Sequence, residues 1–162
     1  MKICVSLMML LSNVMANAPL QEDRNAILEL HVQARATVIP PARNMMLMSY
    51  SLKMEGLALK WVNRCEFNHP NVSKFPLYKN IGQNLALSGG YTPNLTQIVQ
   101  DWYKERKYYS YANNSCSRVC SHYTQMVSAT TLRLGCAMKQ CDQINLEWPR
   151  PIFLTACQYE PA

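Results

Sequence analysis

Apolar residues recur every three or four positions in three segments, which is the spacing of helices that bury one face. The first segment covers residues 21–38, begins with acidic residues that favour a helix start, and is stopped by Pro40 and Pro41. Its apolar face is Ala26, Ile27, Leu30, Ala34 and Val38. The pattern therefore predicts one long amphipathic helix near the beginning of the chain.

Two further helices are predicted from the same periodicity. A short strand over residues 45–50 leads into one of them, whose stripe is Met54, Ala58, Trp61, Val62 and Cys65. Thr92 is predicted to cap the other, with Pro93 at the first helical position. The stripe of that helix is Leu95, Ile98, Val99, Trp102 and Tyr103. Such stripes indicate buried core rather than a cofactor site.

The second half of the chain is predicted to supply the sheet. Residues 66–80 hold prolines and asparagines without periodicity and are predicted to form a loop. A short helix is expected over 120–128, and strands over Leu132–Lys139 and Ile152–Tyr159. The order of helix, short strand, helix, loop, two helices and two strands predicts one α/β domain built around a small sheet.

Composition excludes several classes of protein. The 162 residues are 49% apolar and 16% charged, which is too apolar for a disordered chain. No apolar run reaches the roughly 18 residues of a membrane helix, and no GxxxxGK[ST] or GxGxxG turn suggests nucleotide chemistry. The net charge of +6 is scattered along the sequence. We interpret it as solvated surface, and expect neither a nucleic-acid partner nor stable membrane insertion.

The first residues have the layout of a secretory signal peptide. Lys2 precedes an apolar run from Ile3 to Leu11, and small residues follow. We predict a signal peptide over 1–16, with cleavage after Ala18 as the alternative, and one domain over 19–162. The protein is accordingly expected to be secreted and extracellular.

Removal of the signal takes Cys4 and leaves six cysteines, which implies three disulfides in an exported domain. A zinc site formed by cysteines is not supported, because no CxxC pair is present. Six cysteines allow 15 pairings, and the residues by themselves do not choose among them. Three N-glycosylation sequons, at Asn71, Asn94 and Asn113, fit an exported glycoprotein.

Six blocks of sequence occur in an order that is typical of one protein family. They read KWVNRCEFNHP, NIGQNLALSGG, DWYKERKYYSYANNSC, CSRVCSHYTQMV, LRLGCAMKQC and FLTACQYEP. In this order they resemble the CAP superfamily of cysteine-rich secretory, antigen 5 and pathogenesis-related class-one proteins. The block spacing is most similar to the secreted venom-allergen-like proteins of parasitic worms. The resemblance covers roughly residues 22–161.

The resemblance implies a fold and a disulfide pattern. The fold is an α-β-α sandwich with a small, mainly antiparallel sheet. The implied disulfides are Cys65–Cys141, Cys116–Cys120 and Cys136–Cys157. Each such bridge typically contributes about 2–4 kcal/mol.

The family cleft holds two histidines and two glutamates, and three of these four residues are present. The matching positions are His69, His122 and Glu105, while the GENLA block reads GQNLA and places Gln83 at the fourth. Neutral imidazoles are common ligands of divalent metals, and a carboxylate on the other ring nitrogen strengthens them. Because Gln83 lacks the charge, we expect no required cofactor and weak zinc binding at most.

Two other departures concern the GHYTQxVW motif of the family. Ser121 replaces its glycine and Ser128 replaces its tryptophan, so a large apolar anchor beside the cleft is lost. The first helix carries His31 and Arg35 where the family often has HNxxR. We interpret both as structural residues.

Lipid carriage is the function that the resemblance favours, since members of this family bind sterols through a loop and some bind fatty acids between two helices. Tyr103, Tyr108 and Tyr111 satisfy the aromatic-x4-aromatic-x2-aromatic pattern of the sterol loop. A tyrosine offers an apolar ring and a polar tip, although short sterol motifs are weak signals and a surface tyrosine loop is the plainer interpretation.

Two alternatives stay open. Recognition of an extracellular or host protein, including an immunomodulatory role, needs no small ligand. A metal-dependent hydrolase is the least favoured, because no GxSxG elbow is present and no cysteine remains free once three bridges form. Ser121 neighbours His122 only in sequence, which does not give the geometry of a nucleophile and base. The chain is expected not to be an enzyme.

Overall fold

A four-stranded sheet lies between two layers of helices in the computed structural model, which describes residues 18–145 and 147–162. The helices are α1 (Gln21–Ala36), α2 (Leu52–Val62), α3 (Leu95–Lys104) and α4 (Ser121–Met126). The strands are β1 (Ser49–Tyr50), β2 (Gly82–Gly89), β3 (Tyr109–Ser110), β4 (Ser115–Cys116), β5 (Arg133–Gln140) and β6 (Ile152–Glu160). Two 3-10 turns occupy Pro76–Tyr78 and Glu105–Tyr108. The predicted signal peptide lies outside the described residues.

The sheet has the strand order β1-β5-β6-β2. The long strands β2, β6 and β5 are antiparallel, and β1 pairs in parallel with β5. Strands β3 and β4 form a separate hairpin. The predicted α-β-α sandwich with a mainly antiparallel sheet is confirmed.

Each face of the sheet carries its own core. Helices α1, α3 and α4 cover one face, with Ile27, Trp102, Met126 and Tyr159 in that core. Helix α2 covers the other face with Met54, Ala58, Trp61 and Val62, four of the five residues in its predicted stripe. Covering both faces explains why β6 is buried along nearly its whole length.

The three disulfides link the pairs that the family resemblance implied. Cys65–Cys141 joins the segment after α2 to the residue after β5. Cys116–Cys120 joins β4 to the residue before α4, and Cys136–Cys157 joins directly opposite residues of β5 and β6. The bridges therefore fix the sheet, one end of α2 and the start of α4.

Three strands were missed and one helix start was misplaced by the sequence pattern. Two of the missed strands, β3 and β4, are only two residues long. Strand β2 was not predicted, because both of its faces are covered and its apolar residues do not alternate with polar ones. Helix α3 begins at Leu95 rather than at Pro93. Its cap is Asn94, whose side-chain oxygen accepts from Thr96 N at 2.8 Å. The 45–50 strand is reduced to two paired residues.

Close packing of α2 on β5 depends on Gly135. A methyl group there would lie 2.1 Å from Glu55 N and 2.6 Å from Ser51 O, which are backbone atoms of the first turn of α2. We expect Gly135→Ala to lower the free energy of unfolding by roughly 3 kcal/mol, because the helix must move away from the sheet.

The matched control is Gly56→Ala. Gly56 lies inside α2, and a methyl group there would meet no heavy atom within 4 Å. Alanine should raise stability at this position by about 0.5–1 kcal/mol through helix propensity. Urea unfolding of both oxidised variants measures the difference, and an unaltered midpoint for Gly135→Ala would contradict the described packing.

Candidate functional site

His69 lies in the loop after α2 and is held from two sides. Trp61 Nε1 donates to Asn68 O at 3.0 Å and fixes the preceding residue. His69 Nδ1 lies 2.8 Å from Gln83 Oε1, an atom that only accepts, so Nδ1 carries the proton. The imidazole itself is exposed. Its Nε2 lone pair is consequently available toward solvent.

His122 lies in the first turn of α4 and is held more firmly. Its Nδ1 lies 2.7 Å from Glu105 Oε1, and its ring stacks on Trp102 with centroids 5.6 Å apart. Glu105 Oε2 also accepts from the backbone N–H groups of His122 and Tyr123, at 3.2 and 3.3 Å. One carboxylate thus orients the imidazole and accepts from two backbone N–H groups that have no partner within the first turn of α4.

Strand β2 brings the two histidines to the same region. Gln83 holds His69, and the next residue, Asn84, donates to the carbonyl of His122 at 3.1 Å. In the described residues neither Nε2 has a protein hydrogen-bond partner. The structure therefore places all four predicted cleft residues around one end of one strand.

Gln83 alters the electrostatics of this cleft. Its Nε2 is buried without a hydrogen-bond partner, and so are both amide atoms of Gln158, the residue directly opposite on β6. A carboxylate at position 83 would present a second acceptor and a negative charge, whereas the amide presents an unpaired donor. No group of three or more histidine, cysteine, aspartate or glutamate side chains with metal-binding geometry occurs between residues 18 and 162, Leu146 aside. The donor set for a metal is thus two imidazoles, which is fewer than structural or catalytic zinc sites use.

A buried chain of hydrogen bonds links α1 to β6, β2 and α4. His31 is fully buried, with Nδ1 2.8 Å from Ile27 O and Nε2 2.9 Å from the Tyr159 hydroxyl. Asn84 Nδ2 lies 3.3 Å from that hydroxyl as well as donating to His122 O. The first helix is thereby connected to the backbone of α4, in keeping with the structural role predicted for His31.

Arg35, the other structural residue, is buried under a ring of carbonyl groups. Its guanidinium donates to backbone oxygens at five positions, which are Met46, Met126, Ser128, Ala129 and Thr131. These carbonyls come from the segment before β1, the end of α4 and the turn that follows α4. A single side chain therefore fixes three segments relative to α1.

A cleft in another part of the fold is lined by neither histidine. It has a volume of about 660 Å³. One wall is residues 38–45, and the other is formed by Tyr109, Tyr111, Tyr123, Thr124 and the stretch 127–129. We call it the tyrosine cleft. Residues 38–45 were not predicted to belong to a site, and Pro40 and Pro41 indicated only where the first helix ends.

The three tyrosines of the predicted sterol pattern have different surroundings. Tyr111 lines the tyrosine cleft and is 64% exposed. Tyr103 packs on Tyr123, and its hydroxyl lies 3.2 Å from Thr37 Oγ1. Tyr108 has charged side chains over its ring. Of the three, Tyr111 alone belongs to the lining of the cleft.

All three sequon asparagines are exposed. Asn71 begins a turn in the loop after α2, and Asn94 caps α3. Asn113 lies at the tip of the β3–β4 hairpin, two residues after Tyr111. A glycan at Asn113 would therefore stand at the mouth of the tyrosine cleft.

Comparison with known proteins assigns the family. The model of the CAP cysteine-rich secretory protein family matches residues 28–159. Peptidase inhibitor 15 of Xenopus laevis is 38% identical over 155 residues, covering 87% of this chain and 58% of the relative. Human cysteine-rich secretory protein LCCL domain-containing 1 is 38% identical over 152 residues, covering 86% and 30%. The chain spans less than two thirds of these relatives, so their activities as whole proteins are not transferred.

Solved structures agree with the family assignment. The Schistosoma mansoni venom allergen-like protein 4 is 28% identical with a TM-score of 0.69, covering 88% of this chain and 90% of that one. The structure of BmVAL-1 has a TM-score of 0.70 at 21% identity, covering 89% and 79%, and shows the shared fold. The sandwich, the bridges and the histidine cleft define a CAP domain. The chain belongs to the CAP cysteine-rich secretory protein family and is similar to the venom-allergen-like proteins of helminths.

The buried imidazole gives a pH dependence of stability. Burial lowers the pKa of His31 to about 4, and the charge of Arg35 acts in the same direction. In the unfolded chain this pKa is about 6.5. Between these values the unfolded state binds a proton that the folded state does not. The free energy of unfolding should fall by about 3 kcal/mol as the pH is lowered through this window.

The test compares urea unfolding of the wild type and His31→Gln between pH 7.5 and 4.5. Glutamine can still form hydrogen bonds but does not titrate. The free energy of unfolding of His31→Gln should therefore fall by about 3 kcal/mol less than that of the wild type over this pH range. All other titratable side chains are the same in the two proteins, so the comparison isolates His31. Parallel profiles would show that His31 does not remain neutral in the fold.

Proposed function

We propose that this protein is a secreted, non-catalytic CAP domain that binds a small apolar ligand, a sterol or a fatty acid, in the tyrosine cleft. The observation that carries the proposal is an open cleft of about 660 Å³ whose lining consists mostly of apolar residues and tyrosine rings. Ligand sites in proteins typically measure about 300–1,000 Å³ and are lined mostly by apolar and aromatic side chains.

The walls of the cleft match the two ends of an amphipathic lipid. Val38, Ile39 and Val127 are apolar, while Arg43 and Asn44 offer polar groups along the same wall. Ile39 is 87% exposed. A ligand that covered this side chain would remove apolar surface from water, which contributes about 25 cal/mol per Å².

Ser128 supports the proposal through its size. It lines the cleft at the position where the family motif usually has tryptophan. Its backbone carbonyl is held by Arg35, so the wall stays in place although the side chain is small. The missing indole leaves room that a ligand can fill.

Secretion is supported by the sequence and by the chemistry of the bridges. The first residues have the layout of a signal peptide, and three disulfides are typical of chains that fold in an oxidising compartment. Among residues 18–145 and 147–162, no helix is long and apolar enough to cross a membrane.

The absence of catalysis is supported by the way the candidate groups are used. Glu105, the carboxylate that a metal-dependent hydrolase could use as a general base, accepts hydrogen bonds from one imidazole and two backbone N–H groups. All six cysteines of the domain are paired. The groups that would act in hydrolysis thus stabilise the fold.

Binding of radiolabelled cholesterol and of a fluorescent fatty acid tests the lipid proposal. We expect saturable, competable binding by the wild type. Affinity should fall at least roughly tenfold in Tyr111→Ala, which removes part of the lining, and in Ser128→Trp, which fills part of the cleft. Tyr91→Ala is the matched control, because Tyr91 is 61% exposed and lies outside the cleft. It should bind as the wild type does.

A wild type that binds neither lipid would contradict the proposal. Recognition of an extracellular or host protein, with an immunomodulatory role, would then be the favoured function. Equal loss in Tyr111→Ala and Tyr91→Ala would place the lipid outside the tyrosine cleft. Melting temperatures of all variants separate loss of binding from loss of folding.

Weak zinc binding by His69 and His122 is a second proposal. It is supported by the anchoring of both Nδ1 atoms, which leaves both Nε2 atoms without partners in the described residues. These two nitrogens would hold the ion, which would act as a cross-link between the loop after α2 and α4. The neutral Gln83 limits the affinity.

Gln83→Glu should strengthen zinc binding by roughly 10–100-fold, because a carboxylate raises the basicity of the imidazole it accepts from. Isothermal titration with zinc chloride measures the change. His69→Ala should abolish the binding, and Gln143→Glu in a distant turn controls for added charge. Equal affinity in Gln83→Glu and the wild type would exclude this cleft as the zinc site.

A further inference from the structure

Tyr108 lies between cations that come from two separate segments. Lys107 Nζ is 4.9 Å from the centroid of its ring, and Arg118 Cζ is 5.6 Å from the same centroid. Lys107 belongs to the 3-10 turn at Glu105–Tyr108, and Arg118 to the loop between β4 and α4. Positive charge that is scattered along the sequence is therefore concentrated in the fold.

The two segments are fixed against each other. Ser117 N donates to Tyr108 O at 2.8 Å, and β3 pairs with β4 immediately beyond. The Cys116–Cys120 bridge closes the loop that carries Arg118. The cations therefore lie on segments that are already fixed, which reduces the conformational entropy lost on binding.

These cations are not balanced by carboxylates. Elsewhere the acidic groups are engaged, as in the pairs Arg24–Glu55, Lys53–Glu160, Arg64–Glu66, Lys104–Asp101 and Arg133–Glu160. In the part of the chain that is described, no carboxylate lies within 4.0 Å of Arg106, Lys107 or Arg118. Glu105, their neighbour in sequence, is turned toward His122.

The phenol between the cations is suited to donate to an anion. The neighbouring cations, Arg118 first and then Lys107, lower the pKa of Tyr108. A more acidic hydroxyl is a stronger donor. Guanidinium adds a planar pair of donors that matches the oxygens of a sulfate or phosphate ester.

We propose that Lys107, Tyr108 and Arg118, with Arg106 beside them, form a binding surface for the sulfate groups of an extracellular sulfated polysaccharide. The surface is exposed, so a single free anion would be screened by salt. A polymer carrying repeated sulfates overcomes this by engaging several cations at once. The choice of an extracellular partner rests on the proposed secretion of the protein.

The proposal gives Tyr108 a role different from sterol contact. Both cations lie close to the ring that an apolar ligand would need to contact. The residues of the cation surface lie on both sides of the β3–β4 hairpin in sequence, and Tyr109 and Tyr111 of that hairpin line the tyrosine cleft. One hairpin would then serve both partners.

Binding to immobilised heparin tests the proposal on the purified, disulfide-bonded protein. The wild type is expected to be retained at 0.15 M salt (about physiological) and to bind size-defined heparin fragments. The double variant Lys107→Gln/Arg118→Gln should bind roughly tenfold more weakly, since it loses charge-assisted contacts. Lys74→Gln/Lys79→Gln is the matched control, because it removes the same charge from an exposed loop elsewhere, and it should stay within about twofold of the wild type.

Three results would overturn the proposal. They are no retention of the wild type, equal weakening in the two double variants, and equal binding of desulfated heparin. Binding to phosphatidylserine vesicles without binding to heparin would assign the surface to a membrane instead. Cholesterol binding by the same variants is measured separately, so failure here and failure of the lipid proposal are distinguishable.

Discussion

The buried guanidinium of Arg35 is the interaction on which both candidate sites depend. A charge at 4% exposure is costly unless its donors are satisfied, and here five backbone carbonyls from three segments satisfy them. Those segments are the chain before β1, the end of α4 and the turn after it. The first and last of them continue into the walls of the tyrosine cleft, while α4 carries His122.

Helix α4 connects two sites of different chemistry. At its start, His122 stacks on Trp102 and bonds to Glu105 in a polar cleft. The next residues, Tyr123 and Thr124, belong to the tyrosine cleft instead. Because successive residues of a short helix point in different directions, six residues supply walls to both sites. A ligand that moved α4 would therefore affect both.

At two positions this chain departs from the family pattern, and each departure changes one of the candidate sites. Gln83 removes a negative charge from the histidine cleft and leaves a buried donor unpaired. Ser128 removes a large ring from the tyrosine cleft and leaves space. Metal binding loses support while ligand volume is gained. Both departures support the proposed apolar ligand more than the proposed zinc ion.

The sequence by itself determined the features that rest on local periodicity and on conspicuous motifs. It predicted α1 and α2 and strands β5 and β6, while the family resemblance supplied the disulfides and the four residues of the histidine cleft. It missed β2, because a strand buried on both faces shows no alternation. It also missed the tyrosine cleft and the cations around Tyr108. Only the tertiary structure decided these. The cleft arises where residues 38–45, the β3–β4 hairpin and α4 meet, and the cations meet where the loop after β4 folds back on the 3-10 turn. Such contacts between separate segments leave no mark on sequence spacing.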